Sequence, residues 1–215
     1  MYRLHGFFTQ NSMKPHYVME ALGVDFEFRF VNLMTGENRT EAFRAMNPIG
    51  KVPVLEHDGE FLFESGTISR YVASVEKSPL YPADKLQRAR VDQWMTFFTC
   101  HPGRWLTEIY FQKVVKPVAG LGDTDEAACE RAGQFIHQQL APLEKLFGST
   151  SWLANDAFSI ADVFALGYLE QVHAIDFSLE AYPRIVDWFG RLEALDSTAS
   201  VRARVQPHIE AAFGS

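Results

Sequence analysis

The sequence predicts two units of different class, an α/β domain of βαβαββα order and then an all-helical bundle. Three observations carry this. Short apolar runs alternate with helical spacings up to about residue 77, a stretch of small and polar residues with two prolines follows, and every pattern beyond residue 85 has helical period. The 215 residues are 47% hydrophobic and 22% charged, enough chain to bury roughly 70% of the surface its unfolded state exposes. A length of this order fits one large domain or two modest ones, and the composition is that of a soluble globular chain.

Residues 2–8 read as a strand, 14–22 as a helix closed by Gly23, 26–31 as a second strand rich in Phe and Val, and 41–46 as a short helical piece. Residues 52–56 and 61–63 flank His57-Asp58-Gly59-Glu60. Asp-Gly between apolar runs signals a hairpin, because both central residues of a type I′ turn need positive φ. Residues 65–75 carry Ile68, Tyr71, Val72 and Val75 at helical spacing. Residues 76–84 hold Pro79 and Pro82 and cannot continue that helix. The expected division is therefore a domain over 1–77, a connector over 78–84 and a helical domain over 85–215. Its helical candidates are 86–115, 126–147, 159–172, 182–194 and 200–212. Ser159-Ile160-Ala161-Asp162 forms an S-x-x-D capping box ahead of the apolar run 163–169.

Several classes are excluded. Lys plus Arg number 20 and Asp plus Glu 27, a net charge of −7, with no basic run. Nucleic acid is not an expected partner, because binding it needs concentrated positive charge. The longest apolar stretch, 163–169, is far short of the roughly 20 residues that span a bilayer, so no membrane association is expected. The first residues lack a long apolar segment and a small-residue cleavage site, so no secretory signal is read. Cys100 and Cys129, without a C-x-x-C spacing, fit a reducing compartment and a cytoplasmic location. Histidines 5, 16, 57, 137, 173 and 208 show no ligand spacing, and no metal is expected.

Two motifs carry chemistry. In Asn47-Pro48-Ile49-Gly50-Lys51-Val52-Pro53-Val54-Leu55 a loop enters an apolar strand through Pro53, which lacks an N–H and so belongs at an edge or a strand start. A trans bond is the common state of such a pair. A cis Val52–Pro53 bond would turn the Val52 amide and carbonyl outward toward a ligand. In Phe63-Glu64-Ser65-Gly66-Thr67-Ile68-Ser69 a strand ends where a helix opens. Ser65 reads either as an N-cap or as the dock for a ligand carboxylate at the positive helix end. Glu64 reads as a solvated charge or as the acceptor for a ligand ammonium.

N-P-x-G-K-V-P at 47–53, E-S at 64–65, the strand-loop-helix start, the linker and the capped helical region together resemble the cytosolic glutathione transferase family over essentially the whole chain. The resemblance implies a thioredoxin-like fold for 1–77 and glutathione bound along its edge as co-substrate, without metal. It implies a cis Pro53 and antiparallel pairing of the Val52 backbone with the cysteinyl part of glutathione. Glu64 and Ser65 would hold the γ-glutamyl ammonium and carboxylate, and Lys51 would neutralise a glutathione carboxylate.

The family lowers the thiol pKa with a donor near the end of the first strand: Tyr in some classes, Ser in others, Cys in one bacterial class. Gly6-Phe7-Phe8-Thr9-Gln10-Asn11-Ser12-Met13-Lys14 contains neither Tyr nor Cys. Asn11 fills the bacterial cysteine position, and Thr9 falls where the Ser classes place their hydroxyl. T-x-N before a basic residue resembles a bacterial subgroup that also reduces disulfides with glutathione. Thr9 and Asn11 are thus the expected thiol partners, Ser12 a competing donor, and Lys14 a solvated helix residue. A purely capping role for Thr9 and Asn11 stays open.

The electrophile is expected between the domains, against Phe97, His101 and Trp105 of the predicted helix 86–115, which also carries Phe98, Ile109, Tyr110 and Phe111. Such aromatics favour a small hydrophobic or aryl partner. His101 could polarise a substrate or simply lie at the surface, and Cys100 reads as a buried small hydrophobe. The function expected from the resemblance is conjugation of the glutathione thiolate to hydrophobic electrophiles by a homodimer. A glutathione-dependent disulfide reductase and a non-catalytic ligand-binding or interaction protein are the alternatives. A dienoic-acid isomerase would require a Ser-rich loop with a Cys, which is missing.

Overall fold

The computed structural model describes residues 1–213 and divides the chain into two compact units. The first comprises Met1–Ala83 and the described chain from Ala194 onward; the second is Asp84–Glu193.

In the first unit, β1 (Tyr2–Gly6), α1 (Gln10–Ala21), β2 (Phe26–Phe30), α2 (Glu41–Met46), β3 (Val54–His57), β4 (Glu60–Phe63) and α3 (Ser65–Val75) follow in the expected order. The sheet runs β2-β1-β3-β4, with β1 parallel to β2 and antiparallel to β3, and β3 antiparallel to β4. Alternation makes β1 two-faced. Tyr2, Leu4 and Gly6 are buried, and Tyr2 and Leu4 join Met19, Phe26, Leu55, Ile68 and Val72 in one core; Val31, Phe43 and Val54 form a second. At the β3–β4 turn Asp58 and Gly59 have φ of 52° and 85°, the two positive values a type I′ hairpin demands.

α1 starts at Gln10, four residues earlier than its apolar spacing shows, because its first turn, Gln10-Asn11-Ser12, is polar. It ends as expected at Gly23, where φ of 67° lets the Gly23 and Val24 N–H groups close onto the Glu20 and Met19 carbonyls. Packed by α3 and by α11 (Asp196–Phe213), α1 buries every residue from Ser12 to Met19. The last helix thus departs from an expected helical domain over 85–215: Glu20 on α1 accepts from Ser200 at 2.5 Å and pairs with Arg204 at 3.2 Å. Its helical period is the same whichever unit it covers, so only the long-range partners decide.

The second unit contains α4 (Lys85–Cys100), α5 (Pro102–Tyr110), a π-helical turn (Phe111–Val115), α6 (Lys116–Val118), α7 (Glu126–Leu146), α8 (Ile160–Leu169), α9 (Gln171–Ile175) and α10 (Pro183–Glu193). The expected single helix over 86–115 breaks at His101 (φ −120°, ψ −103°). Pro102 lacks an N–H and its ring bars a helical conformation at the residue before it, yet it suits the first position of a new helix. The break leaves Cys100 exposed, contrary to its expected burial, whereas Cys129 is buried. After the break α5 passes so close to α8 that a Cβ on Gly103 would lie 2.3 Å from the Phe98 carbonyl and 2.5 Å from the Tyr168 ring.

α8 is buried from end to end. The Ser159–Asp162 capping box forms, with the Ser159 N–H donating to Asp162 at 3.0 Å. Asp162 also accepts from Leu153 N–H at 3.0 Å and Trp188 Nε1 at 3.1 Å, which anchors α10. Burial pushes its carboxyl up to about 6 against these donors. Among the described residues no helix is long and apolar enough to cross a membrane.

Candidate active site

The turn from β1 into α1 is closed by main-chain groups and one buried hydroxyl. Phe7 N–H donates to Ser12 Oγ at 3.1 Å, and Val31 N–H donates to the Gly6 carbonyl at 2.7 Å. A Cβ on Gly6 would lie 3.0 Å from both Ser12 and the Phe28 ring, so the strand can end this close to the helix because residue 6 has none. Ser12 is fully buried and faces this turn. Thr9 occupies the N-cap position, where its carbonyl accepts the first intrahelical bonds from Ser12 and Met13 N–H at 2.9 and 3.0 Å. Its half-buried hydroxyl makes no cap bond. Asn11, exposed in the first turn, accepts through Oδ1 from Lys14 Nζ at 2.9 Å. The bland alternative, Thr9 and Asn11 as side-chain caps, is not what the geometry shows.

The loop before β3 is held by Asn47, 2% exposed. Its Nδ2 donates to the Lys51 carbonyl at 2.7 Å and its Oδ1 accepts from Ile49 N–H at 3.1 Å, so one carboxamide spans the loop. Gly50, at φ of 66°, gives its carbonyl to Asn38 at 2.7 Å. The Val52–Pro53 bond is cis, and β3 pairing starts only at Val54, which leaves the Val52 main chain outside the ladder. Lys51 is exposed.

At the start of α3, Glu64 holds the cap position with φ of 71° and ψ of 115° and no side-chain cap bond. Such a conformation costs a non-glycine residue about 1–3 kcal/mol and is characteristic of ligand sites. Ser65 is the first helical residue and is 8% exposed, so it is not the N-cap its sequence allowed. Its carbonyl accepts from Ser69 Oγ at 2.8 Å.

Sequence reasoning missed Lys14. Expected in solvent, it is 1% exposed, because the helix that carries it is covered on two sides. Burial pulls its ammonium down to about 7, opposed by the charge of Glu64. The i,i+3 spacing of Asn11 and Lys14 was the available signal, since such residues are neighbours on a helix surface.

In the second unit Phe97 and His101 stand in ring contact at 5.4 Å. Trp105, beyond the break, instead stacks on Phe135 at 4.5 Å and 14°, with the Arg104 guanidinium over it at 4.8 Å. Phe98 is core, packed against Trp188 at 6.1 Å. No cluster of three or more His, Cys, Asp or Glu able to hold a metal ion exists among the described residues.

Fold and loop geometry define the class: a thioredoxin-like unit, with a cis-proline loop beside the sheet, in a chain whose second unit is helical. The models for the glutathione S-transferase N-terminal domain and C-terminal domain match residues 1–74 and 126–191. Glutathione S-transferase theta-2B of Homo sapiens is 34% identical over 192 residues, spanning 86% of this chain and 78% of the relative. Glutathione S-transferase 1 of Zea mays is 29% identical over 192 residues, spanning 88% and 89%. The structure of maize glutathione S-transferase I in complex with an atrazine glutathione conjugate superposes with a TM-score of 0.88 at 27% identity, covering 96% of this chain and 98% of that one. The chain belongs to the glutathione S-transferase family.

Proposed function

We propose that Thr9 and Asn11 ionise the thiol of glutathione held against the first unit. As a family member the protein is a glutathione transferase, and glutathione is its co-substrate. The observation that supports the residue assignment is the Thr9 hydroxyl, which stands at the start of α1 and makes no cap bond to it. A cysteine thiol ionises near pH 8.5. Moving it two units down requires about 2.7 kcal/mol of preference for the thiolate, within reach of one or two hydrogen bonds to the charged sulfur and the positive helix end. Thr9 Oγ1–H donates to the sulfur in this reading, and the Asn11 amide supplies the second donor. Ser12, buried and accepting from Phe7, is not used.

The rest of the tripeptide is assigned to neighbouring groups. The Val52 main chain outside the ladder, ahead of Pro53, pairs with the cysteinyl backbone; Ser65 and the N–H groups opening α3 take the γ-glutamyl carboxylate; Glu64 takes the ammonium; Lys51 meets a carboxylate at salt-sensitive strength. The contact pair Phe97 and His101, with Trp105, is assigned to a small hydrophobic electrophile, and the assembly to a homodimer of cytoplasmic location. An ultraviolet difference titration of the protein with glutathione against pH tests the central reading. Saturable binding with the thiolate appearing well below pH 8.5 supports it, and binding without that shift overturns it. Sedimentation at twice the chain mass tests the dimer.

A further inference from the structure

A lysine that is 1% exposed is unusual, because desolvating an ammonium is costly unless acceptors and opposite charge meet it. Here Nζ donates to Asn11 Oδ1 at 2.9 Å, and the Glu64 carboxylate at the head of α3 attracts it. Of the side chains on α11, Arg204 pairs with Glu20 and acts on His16, and His208 stacks on Phe30 at 4.3 Å. Lys14 therefore lies beneath the two segments assigned to glutathione, the first turn of α1 and the strained junction before α3.

Below about pH 7, where it keeps its proton, Lys14 carries only donors. The exposed Asn11 carboxamide can consequently meet it with oxygen alone, which turns both of its N–H bonds to the opposite side. An exposed asparagine without such a partner can rotate its amide end for end, since oxygen and nitrogen are nearly equal in shape. Presented to a thiolate, the oxygen would repel where the nitrogen attracts.

We propose that Lys14 is a positioning residue of the glutathione site, which fixes the flip of Asn11 so that amide N–H groups face the sulfur. The proposal rests on the assignment of Asn11 to the thiol.

The test titrates bound glutathione by its thiolate absorbance in the unaltered protein, Lys14→Met, Lys14→Arg, Asn11→Ala and the double variant, with S-methylglutathione as a probe that has no ionisable thiol. Lys14→Met is expected to raise the bound thiol by about one pKa unit, tenfold less thiolate at a given pH, while S-methylglutathione affinity changes less than about threefold. Lys14→Arg restores the thiol pKa. Asn11→Ala raises it as Lys14→Met does, and the double variant goes no further, the signature of two groups acting through one contact. An unchanged thiol pKa in Lys14→Met overturns the proposal, and so does an additive double variant, which would mean that Lys14 acts on the thiolate by itself. If Lys14→Met does not fold, Lys14→Gln carries the same test: a carboxamide can offer Asn11 either end, so the rise is expected and its absence overturns the proposal. An unshifted thiol in the unaltered protein would instead refute the assignment of Thr9 and Asn11.

Discussion

The main-chain N–H of Phe7 donates to the side-chain oxygen of Ser12 at 3.1 Å, across a turn whose outer residues are Phe8, Thr9, Gln10 and Asn11. Ser12, a rival thiol donor by sequence, is thus the acceptor that closes the loop carrying Thr9 and Asn11. Ser12→Ala leaves a buried N–H without its acceptor, a loss of about 1–3 kcal/mol. Urea unfolding should show that loss, while the thiol pKa of bound glutathione moves far less than in a Thr9 variant. A thiol shift as large as that of Thr9→Ala would make Ser12 the donor.

Thr9→Ala removes a donor to a charged acceptor, about 1.5–3 kcal/mol. The acidic limb of the pH profile of kcat/KM for the electrophile, taken at saturating glutathione, should move up by about one to two units, because that limb reports ionisation of the bound thiol. Glutathione affinity at low pH, where the thiol is neutral, stays nearly constant. Thr9→Ser keeps the hydroxyl and should keep the profile.

Glu64 has φ of 71°, a conformation that glycine adopts without penalty. In a Lys14→Met background, which removes the buried ammonium that Glu64 attracts, Glu64→Gly is expected to stabilise the protein by about 1 kcal/mol in denaturant titrations; with Lys14 present it weakens glutathione binding about tenfold or more through loss of the acceptor for the ammonium. A variant both less stable and unimpaired in binding would show that the strain serves something other than the ligand.

His16 is fully buried, flat on Phe28 at 4.5 Å and edge-on to Phe26 at 5.4 Å, and neither ring nitrogen has a hydrogen-bond partner among the described residues. Burial, with Arg204 assisting, pulls its pKa from 6.5 to about 3. The unfolded chain therefore takes up a proton that the folded chain refuses, so this contribution is full above pH 6.5 and is lost as pH falls toward 3. The shift corresponds to several kcal/mol over the whole window, on the order of 1.4 kcal/mol per unit. The opening free energy of α1, obtained from hydrogen exchange after correction for the pH dependence of intrinsic amide exchange, should fall below about pH 6, and His16→Phe, which keeps the aromatic packing, should blunt that fall.

Element order was legible wherever the signal is local. Asp58-Gly59 demanded the hairpin it forms, Gly23 the end of α1, and Ser159 with Asp162 the start of α8; each is written in a few adjacent residues whose conformational or hydrogen-bonding needs admit one solution. The loop 47–53 and the Glu64-Ser65 junction were legible as a candidate site for the same reason. Pro53 cannot join a ladder, and a helix must open after Phe63.

What the residues alone did not carry is which face meets which partner. Helical period is indifferent to whether the chain beyond Ala194 covers the helical unit or returns to α1, and Glu20 with Ser200 and Arg204 decides for the return. That covered helix buries Lys14, and Lys14 then holds Asn11. Asn11, Ser12 and Lys14 are all polar residues of one helical stretch, so composition cannot sort the exposed carboxamide from the buried clasp and the buried cation. The sequence determined the two classes of unit and singled out the residues of the candidate site; only tertiary packing, through long-range burial that no local pattern encodes, gave those residues their separate environments.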